Sequence, residues 1–338
     1  MSPRAASDLG GSSLGVPELA GADTAEAVAL AVRRGLGGAR KHLPPWLFYD
    51  RAGSALFEQI TTLPEYTLTR TERGILAAHA GAIVEAAGAP LEVVELGAGT
   101  ASKTRLLLEA LLSRQPRVRY VPIDVSPAAL AQAGSMLAGL ARLEVRPIVA
   151  RYPEGLGLLG ESRMRRLVLL LGSNIGNYDP RAGAELLARL RGHLTPGDAL
   201  LMGVDRRKSP ALLRPAYDDA AGVTARFNKN VLARLNAELG ARFDLDRFRH
   251  VVKWNDRASR IELYLESAVA QKVTIDALAL EVSFRAGERI HTESSYKLTD
   301  RKVAEMLIRG GFSPEATWND ERRWFGDHLA RVRPDAAA

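Results

Sequence analysis

The sequence contains no cysteine among its 338 residues. Disulfide bonds, thiolate catalysis and cysteine-ligated metal are therefore excluded. The six histidines show no paired spacing of the kind that holds a metal ion, so we expect no metal site. No apolar run reaches the roughly 18 residues that a membrane-spanning helix requires. The first six residues also lack the apolar core of a signal peptide, so we expect a cytoplasmic protein with no membrane partner.

Aromatic residues are scarce as well, at 6%, although the formal net charge is +7. A nucleic-acid partner would call for a basic stripe and aromatic stacking platforms. The basic residues instead form short clusters separated by acids, such as Arg165-Arg166, Arg206-Arg207-Lys208 and Arg322-Arg323. This pattern indicates a solvated basic surface, and we expect no nucleic-acid partner.

The length of the chain allows two cores, or one core with a large insertion. A hydrophobic fraction of 46% and a charged fraction of 25% are typical of an ordinary globular protein. Residues 1–22 are rich in Gly, Ser, Ala and Pro and show no periodicity. We interpret that stretch as a mobile N-terminal tail.

The most informative stretch, residues 93–105, reads Val-Val-Glu-Leu-Gly-Ala-Gly-Thr-Ala-Ser-Lys-Thr-Arg. It predicts a strand, a tight loop and a helix. Gly97 and Gly99 would let a nucleotide-like ligand approach the main chain beside the helix N-terminus. A dinucleotide-binding loop has a third glycine where this chain has Ser102. With Glu95 before it, the turn therefore fits S-adenosylmethionine better than NAD; the alternative is an ordinary glycine-rich turn of an α/β domain.

Five apolar segments separated by helical patterns predict a parallel sheet: Glu92–Leu96, Arg119–Asp124, Glu144–Val149, Arg166–Leu171 and Ala199–Asp205. Ligands of such sheets bind outside the carboxyl ends of the strands. Gly97, Asp124 and the loop 172–177 should therefore converge. An acid at the end of the second strand, here Asp124, can bind a ribose diol, although capping of the next helix is a competing role.

The segments before this sheet show three local patterns. Small apolar residues at helical spacing predict a helix over Thr24–Leu36. Pro44 and Pro45 predict a non-helical segment that carries three aromatic residues. Thr69 and Glu72 have the spacing of a capping box for the helix that follows.

The character of the sequence changes again after Lys208. A helical region reaching Glu238 and a last helix over Thr299–Arg309 enclose several strand-like segments. Those segments are His250–Trp254, Arg260–Ser267, Gln271–Ile275 and Leu280–Phe284.

Six pieces of the chain together resemble the histidine Nα-methyltransferases of ergothioneine biosynthesis. They are Trp46–Asp50, Leu63–Arg70, Glu95–Arg105, Gly172–Asn177, Tyr217–Thr224 and Thr292–Lys297. The resemblance implies an α/β fold in which 71–207 form a Rossmann-like class I methyltransferase sheet. It implies a second, α+β substrate-binding domain built from 23–70 plus 208–334. The implied reaction converts free L-histidine to its trimethylated betaine, hercynine, with S-adenosyl-L-methionine as co-substrate. We also expect the protein to be a monomer.

The resemblance assigns Gly97, Lys103 and Asp124 to the cofactor. In that family an acid after the third strand binds the adenine amino group, and the corresponding position here is Arg151, followed by Tyr152. Arginine cannot accept that hydrogen bond. We expect the adenine contact at this pair of residues to be made in another way.

The resemblance also implies roles toward the substrate: Asn177 and Tyr217 at the carboxylate, Tyr66, Glu293 and Ser295 at the imidazole, and Tyr49 near the reacting amine. Glu293 and Ser295 are two residues apart, so on a strand they share one face. A carboxylate and a hydroxyl can read the two ring nitrogens of an imidazole. The alternatives are a polar exposed hairpin for this pair, a loop cap for Asn177 and a core position for Tyr217. A methionine of the family's imidazole pocket corresponds to Leu263, which conserves volume.

An ammonium has no lone pair, so the substrate amine must be neutral to attack the sulfonium methyl. A nearby sulfonium lowers the pKa of that amine, so a strong base is not required. We expect the Tyr49 hydroxyl, or a water behind it, to accept the proton. An aromatic wall of Phe48 and Tyr49 would suit the growing positive charge.

Three other functions remain open on the sequence. A nucleic-acid methyltransferase would resemble its relatives in an Asn/Asp-Pro-Pro-aromatic motif, where this chain has Gly172–Asn177. A paralogue could methylate another free amino acid, although Glu293 favours a side chain with an N–H group. A protein that binds the cofactor without catalysis is the third possibility, suggested by Arg151.

Overall fold

The computed structural model describes residues 25–334. The expected tail over 1–22 and the first residue of the helix predicted from Thr24 lie outside the described residues. None of the helices between 25 and 334 is long and apolar enough to span a membrane.

The described strands are β1 (Leu91–Leu96), β2 (Val118–Asp124), β3 (Leu143–Val145), β4 (Ile148–Val149), β5 (Arg165–Leu170), β6 (Ala199–Asp205), β7 (Phe248–Asn255), β8 (Arg260–Ser267), β9 (Gln271–Ile275), β10 (Leu280–Phe284), β11 (Arg289–Tyr296), β12 (Phe312–Asn319) and β13 (Phe325–Val332). The described α-helices are α1 (Ala25–Leu36), α2 (Arg51–Thr62), α3 (Leu68–Ala87), α4 (Thr104–Leu112), α5 (Pro127–Leu137), α6 (Tyr152–Gly157), α7 (Pro180–Arg191), α8 (Pro210–Leu213), α9 (Val223–Leu239) and α10 (Asp300–Arg309).

The largest sheet has the strand order β12-β13-β6-β5-β1-β2-β3, with β4 also paired to β2. Strands β6, β5, β1 and β2 are parallel to one another. Along β1, Val94 and Leu96 face one apolar layer and Leu91 and Val93 face the other. Strand β1 is thus buried on both faces, as a central parallel strand should be, and it also buries Glu92 and Glu95. The predicted α/β class with a Rossmann-like sheet is confirmed.

The predicted third strand, Glu144–Val149, is divided in the structure. Pairing with β2 ends at Val145 and resumes at Ile148. Pro147 lies in the gap, and proline has no N–H group to donate to a strand ladder.

The C-terminal hairpin departs from the predicted division of the chain. Sequence analysis placed residues 208–334 in the substrate-binding domain, whereas β13 pairs antiparallel with β6 and β12 extends the same sheet. Leu329 of β13 is buried in the apolar layer that also contains Leu201 of β6. The hairpin is therefore part of the largest sheet.

Two smaller sheets follow α9 in the chain. Strands β11, β8 and β7 form an antiparallel sheet, and β9 and β10 form a hairpin. One apolar core joins these sheets to α1, the segment around Leu47 and α9. Val28, Leu47, Phe227 and Ile261 are all buried within it. Segments from before and after the central strands thus pack into one unit.

Two local predictions before β1 are wrong. Helix α3 starts at Leu68, so Thr69 lies inside it, and Glu72 is fully buried instead of capping the helix. Residues Pro45–Phe48 form a short 3-10 helix. Pro45 sits at its first position, where a missing N–H costs nothing.

Candidate active site

The glycine turn between β1 and α4 has the conformation that the sequence predicts. Gly97 has φ +74° and Gly99 has φ +52°, values that favour glycine. A Cβ atom at residue 97 would lie 2.5 Å from the Tyr152 hydroxyl and 2.8 Å from the Asn174 amide nitrogen. At residue 99 it would meet nothing within 4 Å. The turn is therefore closely covered at its first glycine and open at its second.

Glu95 holds the shape of this turn. Its two carboxylate oxygens each lie 2.7 Å from the Thr104 hydroxyl, which belongs to the first residue of α4. The Tyr120 hydroxyl also donates to it. Burial raises the pKa of Glu95 to about 7, and the hydrogen bonds from Tyr120 and Thr104 oppose that shift. Glu95 therefore ties the strand to the helix from inside the core.

Asp124 supports the turn from the end of β2. One oxygen accepts the Gly99 N–H at 3.0 Å and the other accepts the Ser126 N–H at 2.9 Å. The cap of α5 is Ser126, which accepts from Ala129, so helix capping, the competing role for Asp124, is filled by another residue. Each Asp124 oxygen keeps a lone pair, so the carboxylate can still accept from a ribose diol. The open turn and this carboxylate fit the nucleoside part of S-adenosylmethionine.

Lys103 lies between the turn and the loop after β5. Its ammonium pairs with buried Glu72, which also accepts the Gly172 N–H at 2.8 and 3.0 Å. Glu72 faces a second buried acid, Asp327 of β13, across Gly203. Burial, and then the charge of Glu72, raise the pKa of Asp327 well above its ordinary value. Sequence analysis interpreted Glu72 as a capping residue and did not single out Asp327.

Arg151 and Tyr152 stand at the start of α6. The Arg151 guanidinium pairs with Glu154 at 2.8 Å and lies 5.7 Å from the Trp46 ring centroid. The Tyr152 hydroxyl is the group that covers Gly97. Tyr152 therefore reaches the glycine turn, whereas Arg151 contacts Glu154 and Trp46.

One cavity brings together the six residues to which the resemblance gives roles toward the substrate. Its lining includes Gly172 and Asn174 of the loop after β5, Leu263 of β8, and the predicted residues Tyr49, Tyr66, Asn177, Tyr217, Glu293 and Ser295. The Gly172 N–H also donates to Glu72, which is the ion-pair partner of Lys103. The loop after β5 is thus shared between the cavity and the residues near the glycine turn.

Strand β11 presents Glu293 and Ser295 to this cavity. They pair with Leu263 and Ile261 of β8, just past an irregularity in the register at His291. Burial raises the pKa of Glu293 to about 7, and the positive charge of Lys297 opposes the shift. The two side chains line a cavity, which excludes the exposed hairpin that we weighed for them.

A buried lysine lies behind these groups. The Lys297 ammonium is 2.7 Å from the Tyr217 hydroxyl and 2.9 Å from the Ser295 hydroxyl. It also forms an ion pair with Asp205 at 2.9 Å. Sequence analysis did not single out Lys297, although the alternation Glu293, Ser295, Lys297 along one strand face was there to be read.

Aromatic side chains form the remaining wall. Tyr49 packs edge-on against Phe57 and Phe227, with ring centroids 5.6 and 5.8 Å apart. Phe48 packs behind, against Phe227 at 4.7 Å, and does not line the cavity. The expected wall of Phe48 and Tyr49 is therefore formed by Tyr49 together with Phe57, Tyr66 and Phe227.

The Tyr49 hydroxyl is held in its neutral form. Burial raises its pKa well above the ordinary value, and the charges of Glu293 and Asp124 are among the groups that raise it further. The hydroxyl can accept a hydrogen bond from an amine. A phenolate base at this position is disfavoured.

Between residues 25 and 334, no group of three or more His, Asp or Glu side chains is arranged to hold a metal ion.

The chain matches the family described as histidine-specific, SAM-dependent methyltransferase over residues 28–332. It is 47% identical over 313 residues to the histidine N-alpha-methyltransferase of Mycolicibacterium smegmatis, covering 92% of this chain and 97% of that relative. The histidine N-alpha-methyltransferase of Mycobacterium tuberculosis is 44% identical over 89% of this chain and 95% of its own length. Ergothioneine biosynthesis protein 1 of Schizosaccharomyces pombe is 30% identical over 81% of this chain and 36% of its own length.

These matches span both the sheet that carries the glycine turn and the segments that enclose the cavity. The chain belongs to the histidine-specific, S-adenosylmethionine-dependent methyltransferases.

Proposed function

We propose that this enzyme methylates the α-amino group of free L-histidine, using S-adenosyl-L-methionine, to give the trimethylated betaine hercynine. This would be the first step of ergothioneine biosynthesis. The observation that carries the proposal is the single cavity in which Glu293 and Ser295 meet Tyr49 and the loop after β5. The names of the mycobacterial and yeast relatives support the same reaction.

Glu293 and Ser295 are the proposed readers of the imidazole, with Tyr66 beside them. A carboxylate accepts a ring N–H, and a hydroxyl can donate to the other ring nitrogen. Asn177 and Tyr217 are proposed for the carboxylate. The Tyr217 and Ser295 hydroxyls are 2.8 Å apart, so the bound histidine would be folded, with its carboxylate close to its own ring.

Gly97, Lys103, Asp124 and Tyr152 are proposed to bind the cofactor. Asp124 has free lone pairs for the ribose, and the open side of Gly99 leaves space above the turn. Lys103 is held by Glu72 beside the loop after β5, where a carboxylate of the cofactor would be attracted to it. Arg151 is proposed to line the adenine side through its contacts with Trp46 and Glu154.

When bound, S-adenosylmethionine supplies an electrophilic methyl group on a positively charged sulfur. The protein has to hold a neutral amine in line with that methyl group, and most of the rate would come from this positioning. The neutral Tyr49 hydroxyl can orient the amine by accepting one of its N–H groups. The proton then passes to water, since Tyr49 itself stays protonated. The rings of Tyr49, Phe57 and Phe227 can stabilise the growing positive charge on nitrogen.

We propose a monomer that acts in the cytoplasm on a free amino acid, without a nucleic-acid partner. Each basic cluster noted in the sequence has a residue engaged in an ion pair: Arg166 lies 3.0 Å from Glu92, Arg206 lies 2.6 Å from Asp300, and Arg323 lies 3.3 Å from Asp300.

The test is to incubate the protein with S-adenosylmethionine and a panel of free amino acids, and to follow the products by mass spectrometry. We expect histidine to gain three methyl groups and the other amino acids to gain none. Preferred methylation of another amino acid would identify a paralogous activity. Turnover of none of them would contradict the proposal.

A further inference from the structure

Lys297 contacts both of the hydroxyl groups of Tyr217 and Ser295, which line the cavity. Its side chain is fully buried, as is that of its ion-pair partner Asp205. Asp205 is also paired with Lys208 at 2.5 Å. The buried negative charge is thus shared by two ammonium groups, of which only Lys297 reaches the cavity hydroxyls Tyr217 and Ser295.

A count of protons fixes the direction of the hydrogen bonds. An ammonium has three donors and no acceptor. The Lys297 ammonium donates to the Tyr217 and Ser295 hydroxyls, and its charge is paired with Asp205. Tyr217 and Ser295 are also bonded to each other at 2.8 Å. One hydroxyl proton is used in that bond. The other cannot point at Lys297, so it is left for the cavity.

We propose that Lys297 is a positioning residue that makes the Tyr217–Ser295 hydroxyl pair a hydrogen-bond donor toward the substrate. The pair then selects a substrate acceptor, either an unprotonated ring nitrogen or a carboxylate oxygen, and disfavours a donor at the same place. This inference rests on the proposed function. It extends that function by stating that the substrate group facing this hydroxyl pair is a hydrogen-bond acceptor.

Replacing the ammonium by an apolar group of similar length removes this constraint. In Lys297→Met no ammonium prevents the free hydroxyl proton from turning away from the cavity, and the pair can then present a lone pair to the cavity. Lys208→Met is the matched control, because it removes the other partner of Asp205 and leaves the bonds from Lys297 to Tyr217 and Ser295 intact.

The experiment measures affinities by calorimetry in the presence of S-adenosylhomocysteine. The first pair of probes is 3-(4-thiazolyl)-L-alanine, which keeps a ring nitrogen acceptor, and 3-(2-thienyl)-L-alanine, which has none. The second pair is L-histidine and histamine, which differ in the carboxylate. In each pair, the first compound has the acceptor and the second lacks it. In the wild type and in Lys208→Met, we expect the first compound to bind about tenfold more tightly in one of the two pairs, the one whose acceptor bonds to the hydroxyl. Tenfold in affinity corresponds to one good hydrogen bond.

In Lys297→Met we expect that ratio to fall below about threefold, with S-adenosylhomocysteine affinity unchanged. If the single variant does not fold, the charge-balanced variant Lys297→Met with Asp205→Asn is measured against Asp205→Asn alone. Unchanged ratios in both pairs of probes would overturn the inference while leaving the proposed function standing. Failure of the wild-type protein to bind any of the four compounds would overturn both.

Discussion

Glu293 is the residue on which the proposed substrate choice depends most. Its carboxyl group lines the cavity, and burial raises its pKa to about 7. A buried carboxyl that titrates near neutral pH is typical of functional sites. Ser295, two residues further along β11, shares its cavity face.

We predict that Glu293→Ala lowers kcat/KM for histidine. The loss should correspond to a rise of about 1–3 kcal/mol in activation free energy, the usual cost of losing a buried hydrogen bond to a charged group. Steady-state kinetics with each co-substrate varied in turn measure this, and KM for S-adenosylmethionine should change little. Glu281→Ala, which removes an exposed acid of β10, is the control. Unchanged histidine kinetics in Glu293→Ala would exclude a role in reading the imidazole.

Glu293 should also make stability depend on pH. Its pKa is about 7 in the folded protein against an ordinary value of 4.5, so the unfolded chain loses this proton first as the pH rises. The contribution of Glu293 is therefore most favourable below pH 4.5, declines up to pH 7, and stays low above it.

We accordingly predict that Glu293→Gln stabilises the fold more at pH 8 than at pH 5, by about 1–3 kcal/mol. Denaturant unfolding of the wild type and the variant at both pH values measures the difference. An equal effect at the two pH values would contradict the assignment of a raised pKa.

At the scale of elements, the turn between β1 and α4 separates two requirements for glycine. Gly97 and Gly99 both have positive φ, but only Gly97 is covered, by Tyr152 and Asn174. Backbone strain alone costs of order 1 kcal/mol for a side chain at such a position.

We predict that Gly97→Ala weakens S-adenosylhomocysteine binding by at least about tenfold, because the new methyl group displaces the Tyr152 hydroxyl and the Asn174 amide. Gly99→Ala, the matched control, should cost about 1 kcal/mol of stability and much less affinity. Calorimetric titration together with thermal unfolding compares them. Equal losses of affinity in the two variants would show that the packing of Tyr152 and Asn174 over Gly97 does not contribute to S-adenosylhomocysteine binding.

The same elements show what sequence could and could not predict. The β1 turn, the apolar β5 and β6, and Asp124 were predictable because the patterns that specify them are local. Glu72 was misread as a capping residue because its partner Gly172 lies 100 residues away. Strands β12 and β13 were missed because Pro314, Asp327 and His328 do not fit the alternation of an ordinary strand.

The site follows the same rule. A resemblance identified Glu293, Ser295 and Tyr217. The local alternation places Lys297 on the same side as Ser295, but it does not show that the ammonium contacts the Tyr217 hydroxyl. Its position depends on the pairing of β11 with β8 and on the ion pair to Asp205 of a different sheet. Contacts between sheets are set by tertiary packing, which a single sequence does not display.

At the scale of the whole molecule, the methyltransferase sheet is completed by the C-terminal end of the chain. Strand β13 pairs with β6 along Phe325–Arg331. Without it, β6 would become an unpaired edge, and Leu201 and its neighbours would lose their cover.

We therefore predict that a fragment of residues 71–207 does not fold cooperatively, although it contains the glycine turn and all of the parallel strands. Thermal unfolding by circular dichroism compares it with the full chain. A cooperative transition, with binding of S-adenosylhomocysteine by the fragment, would contradict this view of the sheet.

The most direct test of the proposed activity is a crystal structure of the protein with S-adenosylhomocysteine and L-histidine bound. We expect the imidazole within hydrogen-bonding distance of Glu293 and Ser295, and the α-amino group between Tyr49 and the sulfur of the ligand over the glycine turn. Histidine bound elsewhere, or with its amino group turned away from that sulfur, would contradict it.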